Sequence, residues 1–104
     1  MDAIAERVLE IRTESGSIEV TVKVARPEPD PRGDWTCQYE IGFGETPKQF
    51  AMHGIDSMQA LQLTIAILDV ELESGAKRLK GTLFHLDEPF VSILEGGNLK
   101  LREV

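Results

Sequence analysis

Cysteine occurs once in this chain, at Cys37. No internal disulfide can brace the fold, and a lone thiol fits a reducing, cytoplasmic setting. Basic residues are in deficit: 11 Lys and Arg stand against 18 Asp and Glu, a net charge of −7. An acidic surface repels phosphate backbones and anionic lipid, which argues against nucleic-acid and membrane binding. No apolar run approaches the ~20 residues that a membrane helix needs. The opening MDAIAERVLE is charged from its second residue and lacks the apolar stretch of a signal peptide. The chain also contains no GxSxG elbow, no Walker loop and no GxGxxG. These absences remove the commonest hydrolase and nucleotide-binding chemistries, and no cofactor is expected.

What is there suffices for one α+β domain spanning 1–104. Apolar residues make up 41% and charged residues 28%, ordinary values for a globular chain. A chain this long buries roughly two thirds of its unfolded surface without staples. From Ser17 to Ala25, Ile18, Val20, Val22 and Val24 alternate with Glu19, Thr21 and Lys23. β-branched residues at period two predict a strand with one face in water. Residues 4–13 mix helix and strand periods, and the turn at Glu14 to Ser17 selects a strand, the other arm of a β-hairpin, over a helix. In the third strand, Trp35, Cys37, Tyr39, Ile41 and Phe43 share a face. A short fourth strand, 48–53, turns Phe50 and Met52 inward. Between the second and third strands, RPEPDPRG holds three prolines and reads as a stiff loop that cannot continue a ladder. The expected sheet is therefore a four-stranded antiparallel meander, apolar on one side, in need of a cover.

The cover is a helix over 57–74, capped by Asp56 or Ser57 and ended by a left-handed Gly75. Its apolar residues fall on two arcs. Met58, Leu61, Ile65, Leu68 and Leu72 form one; Ala60, Leu63, Ile67 and Val70 form the other. A helix lying on a sheet buries one face. The second arc must be covered by the irregular C-terminal segment, through Leu83 to Leu94, or by a second copy. Leu63, Ile67 and Val70 are thus a candidate apolar interface, and a monomer is favoured over a homodimer because the tail holds enough leucine and phenylalanine.

Candidate chemistry is sparse. His53 and His85, with Asp87 and Glu88, match no metal-ligand spacing. Cys37 on an inward face is a buried, inert thiol. Arg32-Gly33-Asp34 spells an adhesion tripeptide, which in a chain without an export signal is the end of a loop. The most polar convergent spot is Arg26, Asp30 and Asp34 beside Trp35, a candidate ligand or interaction site.

Pro27, Asp30, Gly33-Asp34-Trp35, Cys37 and Tyr39-Glu40-Ile41, followed by Gly54-Ile55-Asp56-Ser57-Met58-Gln59-Ala60-Leu61, carry a resemblance. Over about residues 8–75 the chain resembles a family of small bacterial proteins of uncharacterised function. That resemblance implies a bacterial source and the strand-then-helix order. It brings no catalytic residue, metal or cofactor. The functional expectation is a non-enzymatic protein-interaction module with a basic protein partner, in one form an immunity protein. The alternative is a small-ligand binder or cryptic enzyme with a cleft near 26–35.

Overall fold

The computed structural model describes residues 1–94 as one antiparallel sheet with one helix laid on it. In chain order the elements are β1 (Ala3–Thr13), β2 (Gly16–Ala25), β3 (Glu28–Pro29), β4 (Trp35–Phe43), β5 (Lys48–Gly54), α1 (Ser57–Arg78), β6 (Thr82–His85) and β7 (Glu88–Pro89). The four long strands are the expected meander. β1 pairs β2 from Thr13↔Gly16 to Ala3↔Ala25, β2 pairs β4 around Val22↔Ile41, and β4 pairs β5 from Trp35↔Gly54 to Ile41↔Lys48.

The sheet has seven strands, however, not four. β3 bonds to the start of β4 through Glu28↔Thr36 and Pro29↔Trp35. Because β5 occupies the other side of Trp35 and Thr36, β3 continues the line of β2 beyond Arg26-Pro27. The proline-rich loop thus does rejoin the ladder, for two residues at its edge, one of them Pro29. β6 and β7 arise from the segment expected to be irregular. β6 pairs β1 through Ile11↔Leu83, and β7 folds back on β6. The turn between them is held by Leu86 and Asp87, both with positive φ, 53° and 65°. Two consecutive left-handed residues are the geometry of a tight hairpin turn. The spatial order is therefore β5-β4-β2-β1-β6-β7, with α1 carrying the chain from one edge to the far side of β1.

Asp56 caps α1, its Oδ1 accepting from the Gln59 N–H at 2.7 Å. Gln59 reaches back, its Oε1 accepting from the Ile55 N–H at 2.8 Å. These reciprocal bonds satisfy free donors at the helix start. The helix runs past 74, because Gly75 is helical and buried rather than a left-handed stop. A Cβ at Gly75 would lie 2.2 Å from a ring carbon of Phe43, so glycine serves there for close approach. The stop comes at Leu79. Lys80 takes φ 56°, its N–H donates to Lys77 O at 3.1 Å, and the Gly81 N–H donates to Ala76 O at 3.0 Å. That bond pair is a Schellman closure, here made with a lysine in the left-handed position.

The core lies between α1 and one face of the sheet. Leu9, Ile11, Val20, Val22, Val24, Cys37, Tyr39, Ile41 and Leu83 meet Ala60, Leu68, Leu72 and Ala76. Leu68 and Leu72 are essentially inaccessible, each worth about 1.5–3 kcal/mol on burial. Thr64 is also fully buried, its hydroxyl donating to Ala60 O at 2.9 Å. The stripe against the sheet is thus Ala60, Thr64, Leu68 and Leu72, which takes Leu68 and Leu72 from the first expected arc and Ala60 from the second and runs through Thr64 between them. Met58 is exposed, and so is much of the second arc: Leu63 is 37% and Val70 57% accessible, while Ile67 is half-buried. The tail covers the other flank instead. Ile93 packs beside Ile65 and Leu68, and Asp69 anchors it by accepting from the Ile93 N–H at 2.7 Å and the Ser92 hydroxyl at 3.1 Å.

Candidate functional site

The proline-rich loop does not build the expected cluster. Asp30 is committed to its own turn: Oδ1 accepts from the Arg32 N–H at 2.8 Å, and its backbone N–H donates to Asp34 O at 2.6 Å. The first of these bonds, helped by the Arg32 charge, holds the Asp30 carboxyl below its ordinary range. Asp34 projects into solvent, and Trp35 is half-buried against the core. Arg26 stands apart, in a groove of about 380 Å³ with Asp2, Ile4, Glu28, Thr36 and Gln38. Next to it, Thr36 Oγ1 lies 3.2 Å from His53 Nδ1. His53 and His85 sit on β5 and β6, with three strands between them, so they cannot share a ligand. Among the described residues no three His, Cys, Asp or Glu side chains gather as metal ligands would. Cys37 is fully buried, with its Sγ 3.5 Å from Ala25 O.

Two surfaces do stand out, and both follow from topology. The first is the sheet face away from α1. Strand alternation turns Glu6, Val8, Glu10 and Arg12 of β1 outward, with Glu19, Thr21 and Lys23 of β2, Gln38 and Glu40 of β4, and Phe84 of β6. At its β6 end Arg12 organises a cluster. It bonds Glu10, reaches Asp87 through Nη2 at 2.6 Å, and stacks its guanidinium 3.9 Å from the Phe84 ring centre. The Arg12 bond keeps the Glu10 carboxyl ionised to lower pH than usual, with a smaller contribution from Ser17, and the Glu10 bond raises the Arg12 pKa in turn. Glu10 also lies directly opposite Glu19, a like-charge pair that costs stability. Val8 (57%) and Leu86 (84%) are exposed apolar residues around this cluster.

The second surface is the β5 edge. β5 pairs only β4 among the described residues, leaving its outer backbone groups open. Phe50 stacks on Tyr39 with ring centres 5.5 Å apart, yet remains 43% accessible. The neighbouring flank of α1 presents Leu63, Ile67 and Val70. Beneath that flank Glu71 reaches the Tyr39 hydroxyl; burial first, and this contact second, push the Tyr39 pKa up to about 12.

The comparisons bear on lineage. A family described as a domain of unknown function, DUF6968, matches residues 5–91. The chain belongs to this family. The match spans the stretch that carries the GDW strand and the GIDS helix start, and it runs on through β6 and β7. No curated protein and no solved structure matches the chain. No helix among the described residues is long and apolar enough to cross a membrane.

The sequence singles out Leu63, Ile67 and Val70 of the second surface, but neither the outward sheet face nor the open β5 edge. Glu10, Arg12, Phe84 and Asp87 are far apart in the chain, and only the β1–β6 pairing joins them. The openness of β5 depends on which strand lies outermost, which periodicity does not encode.

Proposed function

We propose that this chain is a non-enzymatic protein-interaction module that meets a basic partner through the uncovered face of its sheet. One observation carries this reading. That face has no described element packed on it, and its outward charges lean acidic, with Glu6, Glu10, Glu19 and Glu40 against Arg12 and Lys23. Apolar Val8, Phe84 and Leu86 lie beside the charges, giving the mixed character of a binding surface. Acidic charge steers association with a basic protein and raises its on-rate. An immunity protein masking a basic toxin is one form of such a pair, inside a bacterial cell where Cys37 stays reduced.

The test is biochemical. The products of genes adjacent to this one are co-expressed with it and examined by gel filtration. A co-eluting basic partner supports the reading, provided that Glu10→Lys with Glu19→Lys slows association and flattens its salt dependence. If no neighbouring product from several relatives forms a complex, the reading is wrong. A small-ligand binder or cryptic enzyme near 26–35 is supported by the groove beside Arg26. A metabolite or metal that raises the melting temperature by several degrees, with the effect lost in Arg26→Ala, selects that alternative.

A further inference from the structure

The geometry points to β5 as a self-association edge. Two copies of this chain pair their β5 strands antiparallel about a two-fold axis through Ala51, and Leu63, Ile67 and Val70 of the two helices flank the seam.

The two ends of the sheet are treated differently. At the far end β7 is two residues long and contains Pro89, and the Ala3–Leu9 stretch of β1 that β6 leaves unpaired carries Glu6 and Arg7; short length, proline and charge all discourage further pairing. At the β5 end the edge is seven residues long, with no proline and no glycine before Gly54. It carries no inward-pointing acid and one charge, Lys48. An unguarded strand of this length is a template for another strand.

The side chains say which strand. In a continuous sheet, paired residues must share a face, so the two positions in each pair must sum to an even number. The register centred on Ala51 uses all seven residues. It sets Phe50 against Met52 twice on the helix side, Gln49 against His53 twice on the open side, and Lys48 against Gly54 at each end. No like charges oppose. Each Lys48 lies beside the segment of the other copy that carries Asp56. For a chain of net charge −7, two copies repel over most of their surface. The β5 strand and the Leu63, Ile67 and Val70 positions beside it carry no exposed acid, so the repulsion is weakest there. Pairing also covers Phe50 and the exposed side chains of Leu63 and Val70. The sequence alone favours a monomer because the tail holds enough leucine and phenylalanine to cover the second arc; in the structure the tail packs on the other flank of α1, beside Ile65 and Leu68.

The test uses the full chain in solution. Light scattering during gel filtration should give twice the chain mass. Ala51→Lys places two ammonium groups against each other across the axis and should give a folded monomer, with circular dichroism unchanged. Val70→Glu, on an exposed helix position, should weaken the dimer in the same way. Ala51→Cys should form an intermolecular disulfide without reductant, because directly paired antiparallel residues place Cα atoms about 4.5–5.5 Å apart, within disulfide range. Gln49→Cys should not, since its mate is His53. The buried Cys37 does not compete. A monomer at all concentrations overturns the proposal. So does a dimer unchanged by Ala51→Lys and Val70→Glu, or one that cross-links through Gln49→Cys and not Ala51→Cys. None of these outcomes depends on the basic-partner reading.

Discussion

Gly54→Ala tests how α1 is seated on the sheet. Gly54 is the buried last residue of β5, and it pairs with Trp35 across the ladder. Its φ is not in the left-handed region, so alanine can adopt its backbone conformation. On chain entropy alone the substitution should stabilise the protein by about 0.4–1 kcal/mol, because alanine restricts the unfolded chain. The structure argues the opposite. A Cβ at this position would lie 2.4 Å from the Ala60 nitrogen, 2.9 Å from its Cα and 2.9 Å from the Gln59 carbonyl carbon. All three atoms are helix backbone, with no rotamer to yield. Relief requires α1 to lift off β5 at its first turn, loosening Ala60 and Thr64. Overpacking costs about 1–3 kcal/mol, and a rigid obstacle puts this case at the upper end. With the entropic gain subtracted, a net loss of about 2 kcal/mol is expected, about 10 °C in Tm for a domain this size. Urea unfolding followed by fluorescence of Trp35, the single tryptophan, reads this directly. The midpoint should fall with an unchanged slope. If Gly54→Ala matches or exceeds the parent in stability, the close seating of α1 on β5 is wrong.

Three further outcomes are expected. Lys80→Gly should stabilise the fold by about 1 kcal/mol in the same urea assay, by removing a side chain from the left-handed position of the helix stop. Tyr39 is the single tyrosine, so tyrosinate absorbance titrates it alone; its midpoint should lie near 12 and fall toward 10 in Glu71→Gln. Because the folded pKa is raised above the unfolded value near 10, the unfolded chain ionises first, and the Tyr39 contribution to stability should be intact below pH 10 and decline from there toward 12. Asp69→Ala should free the 92–93 segment, costing about 1.5–3 kcal/mol for charge-assisted bonds and accelerating hydrogen exchange at the Ile93 amide while the β4 amides stay protected.

The strands at 17–25 and 35–43 are legible in the sequence because their β-branched and aromatic residues alternate without interruption, and each pairs with a neighbour close in the chain. Residues 4–13 mix two periods, and the turn at Thr13 to Gly16 resolves them. That turn is visible as Glu-Ser-Gly, and Thr13 tightens it by accepting from the Ser15 N–H at 3.2 Å. The β6–β7 hairpin was not legible. Its turn is Leu86-Asp87, without the asparagine or glycine that usually marks two left-handed positions. Gly75 misled for a related reason. A glycine late in a helical pattern reads as a stop, and what decides otherwise is the Phe43 ring, which arrives from β4. The two-arc pattern placed Leu68 and Leu72 of the first arc correctly against the sheet, but the contact face is centred between the arcs. Thr64, polar in sequence, sits at the centre of the contact because it bonds its own helix, and Leu63 and Val70 lie outside it. Asp30 does not join Arg26 in its groove because it is a turn-forming residue, and an aspartate beside prolines readily closes its own backbone.

The two proposed surfaces are compatible, and their combination has a consequence that neither has alone. β5 pairing consumes backbone groups at the sheet edge and the outer flank of α1, and it leaves Glu10, Arg12, Glu19 and Phe84 untouched on the far side of β1 and β2. A two-fold axis normal to the sheet points both open faces the same way, so the dimer offers two acidic faces on one broad surface. A partner with one basic site then sees two independent sites. A partner that is itself paired engages both, and the second contact forms at the high effective concentration set by the first. Ala51→Lys should therefore leave the affinity for a monovalent basic partner nearly unchanged while sharply weakening retention of a bivalent one. Glu10→Lys with Glu19→Lys should weaken both. If Ala51→Lys weakens both alike, β5 itself contacts the partner, and the division of labour between edge and face is incorrect.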